Sequence, residues 1–397
     1  MAKRVPPGFR RVFMRELRQI ADRPALALML GPVPLALMLL MSAIFYNGLP
    51  TDLPIAVVDE DNTTLSRRAV RMVDATPEIA VAAHMSNLAE AKTALVAGDV
   101  YGVVLIPEDM ESDLLQGRRP EIVTFYNNQL LTVGGIVSRG TQAALGTFSA
   151  GVSMQVRIAR GEPLLEAREA INPVPVQQSP LFNPALDYVQ FLLAAAMPTV
   201  LHIFMGISAA LAMARDRHSR AGMARLVAQG GSVFKAVAGK LAPYALAFLL
   251  MVALADAILF GFFGAPFRGS IELHVTYTVL FVLSCLCLGA FAGMLAGDTV
   301  GALGMTGFLT APAFGFAGIT FPRALMNNFS VIWGALLPLT PYLQLRTDQV
   351  IRGAPVDISI PAIGWQVLQL VAYGGVMLLL VHKAAAPPRP EREEVKP

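Results

Sequence analysis

The chain has 397 residues, of which 55% are hydrophobic and only 15% charged, with a formal net charge of +3 and a mean hydropathy of +0.56. A soluble domain carries roughly 25% charged residues, so this composition argues against an ordinary globular enzyme. The small net charge, with no long block of one sign, excludes nucleic acid as an expected partner.

The apolar residues gather in runs long enough to cross a bilayer. Residues 1–24 come first and read as a cytoplasmic amphipathic helix at the interface. Phe9, Val12, Phe13, Leu17 and Ile20 share one face, with Arg10, Arg11, Arg15 and Arg18 largely opposite. Glu16 falls inside the apolar face. It could touch the bundle or a partner, or pair locally with Arg23 or Lys3. The first span is residues 25–46, with Pro32 and Pro34 near its start, where proline is least costly. It is too long for the core of a signal peptide.

Residues 47–187 read as an inserted extracytoplasmic α/β domain. LPIAVV at 53–58 is a strand and the DEDN cluster at 59–62 a turn. Helical spacing then covers 64–73, a strand 79–83, a helix 87–97, a strand 100–106, a short helix 108–115 and a strand 121–126. A long helix over 129–159 returns toward the membrane, and a proline-rich stretch at 172–184 links it to the second span. The acidic cluster at 59–61 could bind a cation or be a solvated turn.

Residues 188–382 supply five more spans, at 188–214, 241–263, 275–296, 300–319 and 363–381. A basic loop occupies 215–240, and 320–345 reads as a re-entrant segment because its apolar run, 331–339, is too short to cross. Residues 383–397 are expected to form a disordered cytoplasmic tail. The fold class expected is therefore a membrane all-α bundle of six transmembrane helices with an α/β insertion. The arginine-rich segments before the first span, after the second and after the last fall on one side of this topology. The positive-inside rule makes that side, and both termini, cytoplasmic.

Inside the membrane, His202 and Asp256 stand out. A charged Asp at the bilayer centre costs roughly 3 kcal/mol on insertion scales, so it needs a partner or a wet cavity. The two could pair or line a substrate path; a structural hydrogen bond to a neighbouring helix is the plainer reading. Phe308, Phe314 and Phe316 suit apolar cargo and equally suit lipid contact. Gly297, Gly301 and Gly304 fall at helix-contact spacing and could form a dimer seam or internal packing. Cys285 and Cys287 lie in an apolar run at a spacing that suits packing rather than a disulfide or metal site. The phosphate loop GxxxxGK[ST] is absent: Gly239-Lys240 is followed by Leu241 and lacks the earlier glycine.

Five stretches carry a family resemblance: RELRQIADRP at 15–24, IAVVDEDN at 55–62, GKLAPY at 239–244, GITFP at 318–322 and LPLTPY at 337–342. In this order and spacing the chain resembles, over nearly its whole length, the type-2 ABC exporter permeases with a large extracytoplasmic domain after the first span. The resemblance implies no cofactor on this chain, with ATP and Mg on a separate ATP-binding cassette ATPase. It implies a dimer with a second, identical or different, permease, contact with membrane lipid, a periplasmic adaptor as a further candidate partner, and a bacterial inner-membrane location. Cargo would be amphiphilic, lipid-like or drug-like.

The resemblance also places ATPase coupling at Glu16 and in the loop helix expected over 215–226, through Arg215, Asp216, Arg217, Arg220, Gly222, Arg225 and Leu226. That stretch reads RDRHSRAGMARL, and Arg225 holds a position often acidic in the family. An asymmetric pair would explain the departure. Asn327 stands where proline is common. An ion-coupled secondary transporter and a membrane-anchored receptor or scaffold are the competing readings. The first would need inverted repeats, which the isolation of one span from five argues against.

Overall fold

The computed structural model describes residues 6–48, 50–171, 179–219 and 221–386. The chain divides into two compact units, one formed by Met1–Gly48 with Pro180–Pro397, the other by Leu49–Ser179.

Six helices of the first unit are long and apolar enough to cross a membrane: Pro24–Ile44, Val189–Arg217, Val233–Phe262, Ile271–Ala296, Thr299–Phe316 and Val356–Ala385. They correspond to the six apolar runs, with shifted ends. The first is broken at Gly31, because Pro32 lacks an N–H and disfavours helical backbone in the residue before it. The third begins at Val233, eight residues before the expected start at 241; the Ser232 hydroxyl accepts from the Lys235 N–H (3.2 Å) and caps it. Most of the stretch read as a loop over 215–240 is therefore helix. The helix expected over 215–226 is instead two pieces: Arg215, Asp216 and Arg217 end the second span, and a separate helix runs Gly222–Gly230.

Small residues set the closest helix approach, but not in the fifth span. A Cβ on Gly289 would lie 2.1 Å from the Gly206 carbonyl oxygen, and one on Gly293 would lie 2.3 Å from that of Ala210. The second and fourth spans thus meet backbone to backbone along a small-xxx-small stripe. Gly304 has nothing within 4 Å of its would-be Cβ, and Gly301 meets only Asp298 and Ala296 beside it in the chain. Ala302 instead packs the fifth span on Ala210 and Ala214.

Between the fifth and sixth spans, a nine-residue helix (Asn328–Leu336) is followed after Leu337-Pro338 by Leu339–Arg346. At 1.5 Å per residue each covers about 14 Å or less, short of a bilayer core of about 30 Å. The second of these is almost wholly buried. The Tyr188 N–H donates to the Gly48 carbonyl (2.8 Å), so the chain leaves this unit and rejoins it at one point.

The second unit holds a four-stranded sheet in the order β2-β1-β3-β4, with β1 Leu53–Asp59, β2 Ile79–Met85, β3 Gly102–Ile106 and β4 Val123–Tyr126. β1 pairs parallel with β2 and β3, and β4 runs antiparallel to β3. Helices Thr64–Asp74 and Leu88–Ala97 make the crossovers that parallel strands require. β1 is central, and Ile55 to Val58 are all fully buried, as its unbroken apolar run demands. The long helix Leu131–Ala159 approaches β3 at Gly102, where an added Cβ would meet Val137 at 2.7 Å. A further helix, Leu164–Ile171, was not foreseen from the sequence. Of the proline-rich link expected at 172–184, residues 172–178 lie outside the described residues; of the tail expected at 383–397, the last helix continues to Ala385 and residues 387–397 lie outside them.

The acidic cluster at 59–61 is occupied internally. Asp59 accepts from the Asn62 N–H (3.0 Å) and the Ser66 hydroxyl (2.7 Å), and Asp61 accepts from the Thr63 hydroxyl (2.6 Å). These bonds fasten the turn to a Thr63–Ser66 capping box.

Candidate functional site

Glu16 is fully buried, and its partners come from other helices. Oε2 accepts from Lys240 Nζ at 2.9 Å, and Oε1 accepts from the Tyr244 hydroxyl at 2.8 Å and from the Arg215 guanidinium. Asp216 extends the cluster: Lys240 Nζ lies 2.8 Å from Oδ2, and Arg15 Nη2 donates to Oδ1. Arg15 also donates to Gln229 Oε1 (3.0 Å). Three cations therefore face two carboxylates across the helix Phe9–Ala21, the end of the second span and the start of the third.

The backbone is shaped for this contact. A Cβ on Gly239 would lie 2.7 Å from the Phe9 carbonyl oxygen, so only glycine lets the N-terminal helix lie against the third span. The Gly8 N–H donates to the Gln229 carbonyl (2.9 Å), tying the same helix to Gly222–Gly230. The apolar stripe of the N-terminal helix is consequently split. Val12 and Glu16 are buried, whereas Phe9 and Leu17 are 44% and 40% exposed and remain available to lipid.

A buried network of this kind is weak as net stabilisation, because desolvation consumes much of the attraction. It is strong as a constraint, because any one charge left alone is costly. It ties the N-terminal helix to the ends of two spans, and the Arg15–Gln229 bond joins the Gly222–Gly230 helix to the same cluster.

A second cluster lies sixteen residues further along the third span, about 24 Å at 1.5 Å per residue. Asp256 accepts from Arg346 Nη2 (2.7 Å) and pairs with His274 Nε2 (2.7 Å). Arg346 Nη1 donates to the Tyr342 hydroxyl (3.1 Å), and its guanidinium stands 5.4 Å from the Phe260 ring centre. Asp348 follows, nearly buried and paired with Arg352 at 3.1 Å. Burial pushes its carboxyl up, partly offset by the Arg352 charge.

His202 and Asp256 do not pair, although they were expected to be able to. His202 is fully buried against Cys285 Sγ (3.1 Å) and Phe281. The rings of Phe281, Tyr342 and Tyr277 continue from there to His274, which holds Asp256. A chain of stacked and edge-on ring contacts thus connects the two residues. Arg346, Tyr342 and His274 were missed as partners because they lie in segments whose packing no local spacing reveals. Phe314 packs on the core, Phe316 meets Phe329, and Phe308 is 71% exposed beside Trp333. The three phenylalanines are not gathered around His202 or Asp256.

Of the remaining coupling candidates, Leu226 and Gly222 are buried, and a Cβ on Gly222 would meet the Asp216 carbonyl at 1.9 Å. Arg217 is half-buried near Gly297. Arg225 is exposed and donates to the Ser219 hydroxyl (2.8 Å). Arg220 lies outside the described residues.

The model of the family described as "ABC-2 family transporter protein" matches residues 25–381. The inner membrane transport permease YhhJ of Escherichia coli K12 is 25% identical over 337 residues, covering 82% of this chain and 83% of that protein. The probable multidrug ABC transporter permease YbhS of the same organism is 25% identical over 285 residues, covering 70% and 71%. The linearmycin resistance permease protein LnrN of Bacillus subtilis 168 is 26% identical over 138 residues, 35% of each chain. With six helices able to span a membrane and a family match across both units, this chain belongs to the ABC-2 family of transporter membrane proteins.

Proposed function

We propose that this chain is the permease subunit of an ATP-driven exporter, paired with a second permease and powered by a separate ATP-binding cassette ATPase that holds ATP and Mg. The observation that carries the reading is the buried network around Glu16. It links two surface helices, Phe9–Ala21 and Gly222–Gly230, to the adjoining ends of the second and third spans. A partner that displaces Phe9–Ala21 would tilt those spans, because the charges cannot separate cheaply; one that displaces Gly222–Gly230 would act on that helix through the Gln229 hydrogen bonds.

The arginine-rich end of the bundle is cytoplasmic in this reading, by the positive-inside rule. Arg225, on the exposed side of Gly222–Gly230, supplies a contact for the ATPase. By the same rule the segment between the first and second spans is extracytoplasmic, where it meets cargo or a periplasmic adaptor. The cargo is an amphiphile, drug-like or lipid-like; two relatives named for multidrug transport and for linearmycin resistance support that class.

The test is purification of the full chain with its candidate ATPase. Arg225→Glu should reduce recovery of the ATPase and amphiphile-stimulated hydrolysis while leaving the permease folded. An unchanged complex would remove Gly222–Gly230 from the docking surface.

A further inference from the structure

Three helices of the bundle depart from α geometry, and they do so around one cavity. The π-helical turns are Val189–Leu193 at the start of the second span, Ala257–Phe262 at the end of the third, and Thr347–Arg352 after the buried helix Leu339–Arg346. Phe191, Phe260 and Ile351, one from each turn, line a cavity of about 230 Å³. π turns are rare and frequently mark functional sites. Three such turns contribute to one lining, which singles this space out as a candidate site.

The lining is mostly apolar, with a cationic side. Among the described residues, Arg346 and Arg352 are the charged ones on it, and their paired carboxylates, Asp256 and Asp348, do not line it. Arg346 is 5% exposed. Its two terminal nitrogens are engaged by Asp256 and Tyr342, but Nε is buried with no hydrogen-bond partner. A buried N–H without an acceptor bears its whole desolvation cost, which an incoming acceptor would remove. The half-exposed Arg352 side chain (57%) stands within reach of solvent. Phe191, 40% exposed, is a lining side chain open to an approach from outside the bundle. The volume is below the roughly 300–1,000 Å³ that encloses a drug-sized ligand, so it fits a head group and the first part of a chain rather than a whole large molecule.

We propose that this cavity binds the acidic head group of an amphiphile. An oxygen of the head accepts from Arg346 Nε, Arg352 supplies a second cationic contact, and the tail runs along Phe191, Leu259 and Ile351. Naming the occupant as cargo rests on the exporter reading; its binding does not, because no ATPase is needed for it. An exported acid and an anionic membrane lipid present the same chemistry to the two arginines.

The experiment measures equilibrium binding of radiolabelled dodecanoate to the full chain in phosphatidylcholine nanodiscs, after subtraction of empty discs. Saturable binding is expected, displaced by dodecyl sulfate and not by dodecylamine. Ile351→Trp, which fills the cavity, should abolish it. Arg346→Lys, which keeps a cation for Asp256 but removes Nε, and Arg352→Gln should each weaken it about threefold or more. Thermal unfolding of each variant separates lost binding from lost fold, and Arg352→Gln is the exposed substitution that keeps the test valid if Arg346→Lys fails to fold.

Discs containing phosphatidylglycerol identify the source. Competition by that lipid assigns the site to bilayer lipid, and its absence assigns it to a dissolved amphiphile. Equal displacement by dodecylamine, or undiminished binding to folded Ile351→Trp, would overturn the proposal. If dodecanoate binds as expected but ATP drives no transport, the exporter reading fails and the site stands.

Discussion

Lys240 Nζ and Glu16 Oε2 lie 2.9 Å apart, both side chains fully shielded from solvent and separated by 224 positions in the chain. This pair converts an N-terminal helix that could have floated on the lipid into a fixed part of the bundle. Removing one member while leaving the other is the costly change, about 3–5 kcal/mol for a buried pair. Glu16→Gln should therefore lower the unfolding midpoint of the purified protein sharply. Adding Lys240→Met should recover only part of the loss, because Arg215 still lacks Glu16 and Asp216 then keeps only Arg15. Equal stability of Glu16→Gln and the parent would show that the pair does not bind the helix to the bundle.

The Asp256–Arg346 pair obeys the same logic at a distance from the first cluster. Asp256→Asn leaves Arg346 without its carboxylate and should cost a similar few kcal/mol. Adding Arg346→Met should restore stability, with thermal unfolding in detergent as the measurement. If Asp256→Asn is neutral for stability yet abolishes activity, Asp256 belongs to the transport path rather than to the scaffold.

The contact between the second and fourth spans gives the sharpest contrast between two glycines. Gly289→Ala puts a methyl 2.1 Å from the Gly206 carbonyl oxygen, and backbone cannot move aside as a flexible side chain would. Overpacking of this kind costs about 1–3 kcal/mol or more. Gly304→Ala faces open space and should leave the unfolding midpoint unchanged or slightly raised. Similar midpoints for the two variants would contradict the close approach.

Topology follows from the charge distribution and is tested by labelling. With Cys285 and Cys287 replaced, a cysteine at Glu90 should react with an impermeant maleimide at the outer face. A cysteine at Arg225 should react only after the membrane is opened. Both side chains are exposed, so reactivity reports the compartment.

The six spans were legible because a bilayer demands about twenty consecutive apolar residues, a signal that needs no knowledge of neighbours. The strands of the α/β unit were legible for a related reason: LPIAVV and its successors are short apolar runs closed by turn residues, and β1 to β4 lie within a few residues of the expected places. Contacts across the fold were not legible. The sequence marks Glu16 as misplaced on an apolar face, but Lys240 and Arg215 are more than two hundred and just under two hundred positions away, respectively. The seam at Gly289 and Gly293 was hidden because a span that is apolar all round gives no clue to which face meets protein. The helix over 215–226 failed at its middle, where the second span simply continues to Arg217 and the chain then turns before Gly222. The π turns have no sequence signature and follow from tertiary packing alone.

The proposed function is outward carriage of amphiphiles on energy supplied by a separate ATPase. It is tested most directly in inside-out membrane vesicles containing the chain and its ATPase, by following ATP-dependent accumulation of a fluorescent amphiphile. The account predicts accumulation that requires ATP, disappears with a hydrolysis-dead ATPase and falls with Arg225→Glu. Accumulation that persists without ATP and collapses when the proton gradient is discharged would contradict it and favour an ion-coupled carrier.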